Sequence, residues 1–165
     1  MTHIEIANNV LENDMAEIKY TYKMLQSPQQ LRDSKHGDCF EQVELARDLL
    51  EKQGIKCTTY CSEINRGDWV NFIVHGFIVF EEDGKFYWFE RAMAGGRFRG
   101  VHEYSSLKDL IVDFKNKSTE YFKTIKKIPA NNQIIRQYSR PEFPISYTDH
   151  ILDCLSSEVI EIEQL

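Results

Sequence analysis

Two β-rich runs, Trp69 to Glu81 and Lys85 to Met93, are joined by Glu82-Asp83-Gly84. Asp-Gly between such runs is a strong hairpin signal, because a two-residue turn needs φ > 0 at its centre. The two arms are apolar on both faces. One face carries Ile73, Phe77, Val79, Phe86 and Trp88, and the other Phe72, Val74, Ile78, Phe80, Tyr87 and Phe89. A ribbon that must be covered on both sides belongs at the centre of a sheet, with other layers above and below. Such a hairpin is central to its sheet rather than an edge.

The turn also sets a register. An Asp83-Gly84 turn pairs Glu82 with Lys85, Phe77 with Glu90 and His75 with Ala92. A symmetric four-residue loop gives the same pairing, whereas a one-residue bulge would send Glu90 to the opposite face. Side chains alternate with period two, so His75 and Glu90 share a face as diagonal neighbours, with Cα atoms roughly 7–8 Å apart. Two ionisable groups in so apolar a ribbon are costly unless they pair or open partly to water.

A second feature lies upstream, in Gly37-Asp38-Cys39-Phe40-Glu41-Gln42-Val43-Glu44-Leu45. Apolar positions at Phe40, Val43, Leu45, Ala46, Leu49 and Leu50 follow a helical period, and Gly54 supplies the stop. Asp38 reads as the N-cap and Glu41 as its capping-box partner, which makes Cys39 the first helical residue. A helix N-terminus offers free N–H groups and a positive dipole end, and both favour a thiolate nucleophile. Such a cysteine needs a base, and the base an orienting acceptor. Cys39 as nucleophile, His75 as base and Glu90 as orienter form an acyl-transfer centre. The Cys39 backbone N–H is a candidate oxyanion donor.

At 165 residues, 42% of them apolar and 28% charged, the chain is sized for one soluble domain with an ordinary core, residues 1–165. A net charge of −6 argues against a broad nucleic-acid footprint. No apolar run approaches the roughly 20 residues that span a bilayer, and the N-terminus has neither a basic nor an apolar leader region. Cys39, Cys57, Cys61 and Cys154 are therefore expected as reduced thiols, with the cytoplasm as the expected compartment.

Elsewhere the spacing predicts a helix over most of residues 4–25, ended by Ser27-Pro28, and a polar loop or short helical turn over 29–38. Further along it predicts a strand from Ile55 to Ile64, turn chemistry at Asn65-Arg66-Gly67-Asp68, and a helix capped by Ser105 or Ser106 that carries Leu107, Leu110, Ile111 and Phe114. A strand-like segment follows from Gln133 to Tyr138, with a break at Pro141 and Pro144. The tail from Ile151 to Ile162 is compatible with helix or strand.

Taken together, these motifs resemble the transglutaminase-like superfamily. The Gly37–Leu45 stretch, followed by Leu49-Leu50 and Gly54-Ile55, is similar to its nucleophile helix. His75-Gly76-Phe77-Ile78-Val79 and Asp83-Gly84-Lys85-Phe86-Tyr87-Trp88-Phe89-Glu90 are similar to its histidine and acid strands. Ser27-Pro28-Gln29-Gln30-Leu31 and Gly100-Val101-His102-Glu103-Tyr104-Ser105-Ser106-Leu107 extend the likeness to small bacterial transglutaminase-like domains of undefined substrate, over roughly residues 18–115 and weakly on to Pro144.

The resemblance implies a papain-like α+β fold with the nucleophile helix packed on the sheet, flanked by an N-terminal helix and a C-terminal extension. It implies a catalytic triad of Cys39, His75 and Glu90 that forms a thioester from an amide or ester carbonyl, as a hydrolase or acyltransferase. The substrate would be a protein, a peptide or a small amide, with no cofactor, metal, nucleic acid or membrane involved. Two alternatives stand beside it: a catalytically silent binding or scaffold domain, and an arylamine-type acetyltransferase. For the latter the chain is short and shows no cradle for coenzyme-A phosphates. Three positions depart from the family pattern. Glu90 stands where Asp is usual, Gly76 where Ala is frequent, and Arg91–Arg99 where an aromatic-rich segment is common.

Other polar residues read as structural first. Cys57 and Cys61 share one strand face but lack zinc-site spacing. His36 reads as a solvated loop residue. His102 is placed either to line a cleft or to cap, and Arg97 and Arg99 either to meet an acidic group or to be solvated. Gln29, Gln30 and Gln42 are all candidates for a side-chain oxyanion donor, Gln42 lying one turn into the Cys39 helix, where packing is the commoner role.

Overall fold

A computed structural model describes residues 1–21, 25–65, 72–130 and 132–165. The hairpin arms are β4 (Phe72–Glu82) and β5 (Lys85–Glu90). Their register runs from Glu82 opposite Lys85 to Ile78 opposite Phe89, with Asp83 and Gly84 at φ 53° and 74° making the tight turn. β4 continues against β3 (Cys57–Asn65) as far as Phe72, well beyond its last partner on β5. With β6 (Gly100–Tyr104), β7 (Ile134–Tyr138) and β8 (Glu158–Val159), these strands form a six-stranded antiparallel sheet of order β6-β5-β4-β3-β7-β8. The hairpin is interior, as its two apolar faces require. Of the expected β-rich run and its preceding turn, Arg66 to Asn71 lie outside the described residues.

Helices cover both faces. On one side α1 (His3–Asn9), α2 (Pro28–Ser34), α3 (Cys39–Glu51) and α5 (Tyr147–Leu155) pack on Cys61, Ile78, Phe80, Tyr87, Phe89 and Tyr138. On the other, α4 (Leu107–Glu120) lays Leu110, Ile111 and Phe114 over Tyr60, Phe77, Val79, Trp88 and Ile135. The molecule is thus mixed α+β, with five α-helices among the described residues. None of the described helices is long and apolar enough to cross a membrane.

Several local expectations need correction. The helix predicted over 4–25 is α-helical only to Asn9, continues as a wider π-type turn to Asp14, and gives way to β1 (Lys19–Tyr20). The apolar stripe is real, since Val10, Leu11, Met15 and Ile18 are buried. Past it, however, the backbone is claimed by parallel pairing with β2 (His36–Gly37), including Lys19 N–H to Lys35 O at 2.8 Å. Tyr22, the next residue of that stripe, lies outside the described residues.

Ser27-Pro28 opens a helix rather than closing one. Ser27 caps α2 through Gln30 N–H to Ser27 Oγ at 3.3 Å, with Pro28 in the first turn, where its missing N–H costs nothing. The acid-bearing strand ends at Glu90 instead of Met93, and Met93–Gly96 forms a short 3₁₀ turn. Ser106 is the residue that caps α4, and the ambiguous tail holds both a helix, α5, and a strand, β8.

Candidate active site

Cys39 is the first residue of α3, and its surroundings are fixed by a buried capping box. Glu41 N–H donates to Asp38 Oδ1 at 3.0 Å, and Asp38 N–H to Glu41 Oε1 at 3.2 Å. The other Glu41 oxygen accepts from Gln26 N–H at 3.1 Å and from the Gln26 side-chain amide. Burial, with Glu41's negative charge adding to it, pushes the Asp38 carboxyl up to about 6, while its hydrogen bonds and the nearby His75 hold it down. Phe40, the next residue, pins the helix to the sheet. Its ring lies so close over Gly76 that a Cβ there would sit 2.9 Å from it. The glycine after the histidine therefore lets α3 come down onto β4.

His75 and Glu90 meet as the register requires, the ring Nε2–H donating to Glu90 Oε1 at 2.7 Å, with both side chains buried. Phe114 of α4 stacks on the imidazole at 6.3 Å between ring centroids and 11° between planes. The Cys39 side chain lies near enough to the same ring to raise its basicity. Since Nε2 is engaged by Glu90, the nitrogen left for Cys39 is Nδ1. Burial pulls the imidazole down. Against it, Glu90's charge, the hydrogen bonds from Cys39 and Glu90, and the field of Cys39 carry it up to about 10.

Glu90 is held more firmly than its strand position alone would provide. Its Oε2 accepts from the backbone N–H groups of Arg91, Ala92 and Met93 at 2.9, 3.1 and 3.1 Å. The chain curls at the end of β5 so that successive amides converge on one carboxylate oxygen, while the other faces His75. A cavity of about 10 Å³ adjoins the cysteine, lined by Cys39, Gln42 and Val43 of α3, Gly76 of β4, and Phe89 to Ala92. It has room for roughly one water molecule. Cys39 itself is 8% exposed.

Sequence reasoning passed over the amides of 91–93 and the Arg91 side chain. Backbone donors leave no side-chain signature. The one signal for Arg91 was a second charge placed directly after Glu90 in an apolar run. Its guanidinium is buried, donating to Gln42 Oε1 and to Ile18 O, both at 2.8 Å.

The remaining candidates are dispersed. Gln29 donates to Asp33 and Gln30 completes the Ser27 cap, both on α2. His36 is exposed beside Thr21. His102 packs on Trp88 and shares a hydrogen bond with Phe98 O at 2.7 Å. Arg97 lies over the Tyr121 ring, and Arg99 reaches Arg91 O at 3.4 Å. The four cysteines are free thiols; burial pushes Cys57 up to about 12, while Cys61 and Cys154 are fully buried. Among the described residues there is no cluster of three or more histidine, cysteine or acidic side chains arranged to hold a metal. No protein-family model matches the chain, and no curated protein matches it.

Proposed function

We propose that this protein is a cysteine-dependent hydrolase or acyltransferase of transglutaminase-like type, with a papain-like arrangement of nucleophile helix on central sheet. One observation carries the reading: the buried pair of His75 Nε2 and Glu90 Oε1 at 2.7 Å, with Cys39 at the start of α3 acting on the same ring. The nucleophile is the Cys39 sulfur, whose proton His75 takes up. The sulfur forms a bond to the carbonyl carbon of an amide or ester, and the carbonyl π pair moves onto oxygen. Collapse restores the carbonyl and expels the leaving group, which takes the His75 proton when it is an amine. The thioester is then attacked by water or an acceptor amine, whose proton His75 removes, and collapse breaks the carbon–sulfur bond and returns the bonding pair to Cys39 sulfur. Glu90 keeps the ring in the tautomer that offers Nδ1 to sulfur and stabilises its positive form. A protein, peptide or small amide would serve as substrate, and the steps need no cofactor.

A second reading, a silent binding domain of the same type, is favoured by the 8% exposure of Cys39 and the water-sized cavity beside it. Limiting iodoacetamide near neutral pH, followed by mass spectrometry of each cysteine, tests the nucleophile. Cys39 labels ahead of Cys57, Cys61 and Cys154 if its thiolate is activated. Equal or slower labelling of Cys39 defeats the catalytic reading.

A further inference from the structure

Acyl transfer at Cys39 places negative charge on the carbonyl oxygen, and that oxygen needs donors already in position. The backbone N–H of Cys39, at the first position of α3 where the helix itself supplies no acceptor, is one. We propose that the second is the side-chain amide of Gln42, and that Arg91 is the positioning residue that holds it. This inference rests on Cys39 being the nucleophile and adds to it the group that stabilises the oxyanion.

Gln42 lies one helical turn beyond Cys39, and long helical side chains lean back toward the N-terminus. It lines the same cavity as Cys39 and is 3% exposed. Its amide orientation is determined by chemistry. Arginine carries donors only, so the atom facing Arg91 Nη1 at 2.8 Å is the oxygen. The nitrogen is thereby turned to the start of the helix, where one N–H donates to Gly37 O at 3.1 Å. An amide nitrogen carries two hydrogens, and the second remains for the cavity. A space of about 10 Å³ suits a single oxygen atom.

Arg91 spends two donors on this clamp, one on Gln42 Oε1 and one on Ile18 O at 2.8 Å, while its Nε has no hydrogen-bond partner among the described residues. Burial, then the charge of Arg99, lowers this guanidinium to about 10, so it remains charged at neutral pH. A buried cation maintained at that cost beside the reacting cysteine has one evident effect, to fix which end of Gln42 faces the site. Gln29 and Gln30, occupied on α2, are thereby set aside as donors.

Two reactions of the same sulfur separate this role from a structural one. Acylation by 4-nitrophenyl acetate passes through a tetrahedral oxyanion: the sulfur–carbon bond forms, the carbonyl re-forms, and 4-nitrophenolate leaves with the bonding pair. Alkylation by iodoacetamide displaces iodide at a saturated carbon and develops no oxyanion. Gln42→Met, close in volume and without an amide, is expected to slow the stopped-flow acylation burst by about 10²-fold or more. Its Cys39 alkylation should stay within about threefold of wild type, since the thiolate is untouched. Arg91→Lys, a point charge that cannot hold two acceptors in a fork, should lower acylation in the same selective way, and carries the test if Gln42→Met does not fold. Equal losses in both reactions, or undiminished acylation, overturn the proposal. A wild-type protein inert to both reagents at Cys39 overturns the nucleophile reading itself, an outcome visible before any variant is made.

Discussion

Replacing Glu90 by Gln changes few atoms and should disable the site through the tautomer of His75. The three backbone N–H groups of Arg91, Ala92 and Met93 converge on one side-chain oxygen of residue 90. A glutamine can satisfy them only by placing its Oε1 there, which turns its NH2 toward His75 Nε2, 2.7 Å away in the wild type. Two donors cannot face one another, so the ring must present a lone pair at Nε2 and carry its proton on Nδ1. That is the nitrogen needed to accept the cysteine proton. The imidazolium is disfavoured as well, because its leading stabiliser, the Glu90 charge, is gone, leaving burial to pull the ring down against Cys39 alone. His75 should fall from about 10 toward the ordinary histidine value near 6.5, so that the ring is no longer fully charged at neutral pH. The same tautomer inversion in a serine-protease triad costs about 10⁴-fold in kcat.

The assays are the pH profile of Cys39 alkylation and the titration of His75 by NMR. Stability carries a matching signature. A group raised in the fold contributes stability that is complete below its unfolded value, near 6.5, and fades as pH rises to about 10. The charge-dependent part of the melting-temperature gap between wild type and Glu90→Gln should therefore be widest below pH 6.5 and close toward pH 10. A variant that alkylates at the wild-type rate with an unmoved His75 titration would refute the reasoning.

Two further perturbations act on the frame around the site. Gly76→Ala places a methyl 2.9 Å from the Phe40 ring and 3.1 Å from Tyr138 Oη. It should cost about 1–3 kcal/mol in urea denaturation and slow Cys39 labelling as α3 lifts, whereas an unchanged midpoint would show the contact to be soft. His150 is packed against Phe40 at 4.9 Å and lowered by burial to about 4, so it stays neutral in the fold while the unfolded chain takes up a proton below 6.5. Stability should fall by about 3 kcal/mol between pH 6.5 and 4 on this account, and His150→Leu should flatten that part of the pH–stability curve.

The parts of the site legible from sequence were those whose chemistry is local. Asp83-Gly84 admits few turn geometries, and from that turn the register runs to Ile78 and Phe89, which sets His75 and Glu90 on one face. The Asp38–Glu41 box is likewise a short-range pattern, and it located Cys39 at the helix start. What sequence did not disclose depends on partners far along the chain. The helix drawn through Lys19 and Tyr20 was undone by pairing with residues 36 and 37, and pairing of that kind leaves little trace in a short polar segment. Ser27-Pro28 was ambiguous for a different reason, since the same dipeptide can end one helix or begin the next. The Arg91–Gln42 contact joins the bend after β5 to α3 across 49 residues, and neither side chain alone announces it.

The extra methylene of Glu90 finds a physical account in the way β5 ends. β4 and β5 stop pairing at Ile78 and Phe89, one residue short of the acid, so the register alone does not hold Glu90 against β4. The position is secured instead from the far side, by the turn of backbone amides on Oε2, while its pairing with β6 continues at Gly100. A carboxylate fixed at one oxygen by the main chain presents the other at a set distance, and the longer side chain lets it reach across the diagonal to His75. The departures at Gly76 and Arg91 act in the same confined space: one admits Phe40 and hence the helix carrying Cys39, and the other orients Gln42 beside it. Glu90, Gly76 and Arg91 thus make the contacts that set the separation between sulfur, imidazole and carboxylate, and substitutions there should be compensated by one another more than by changes elsewhere in the sheet.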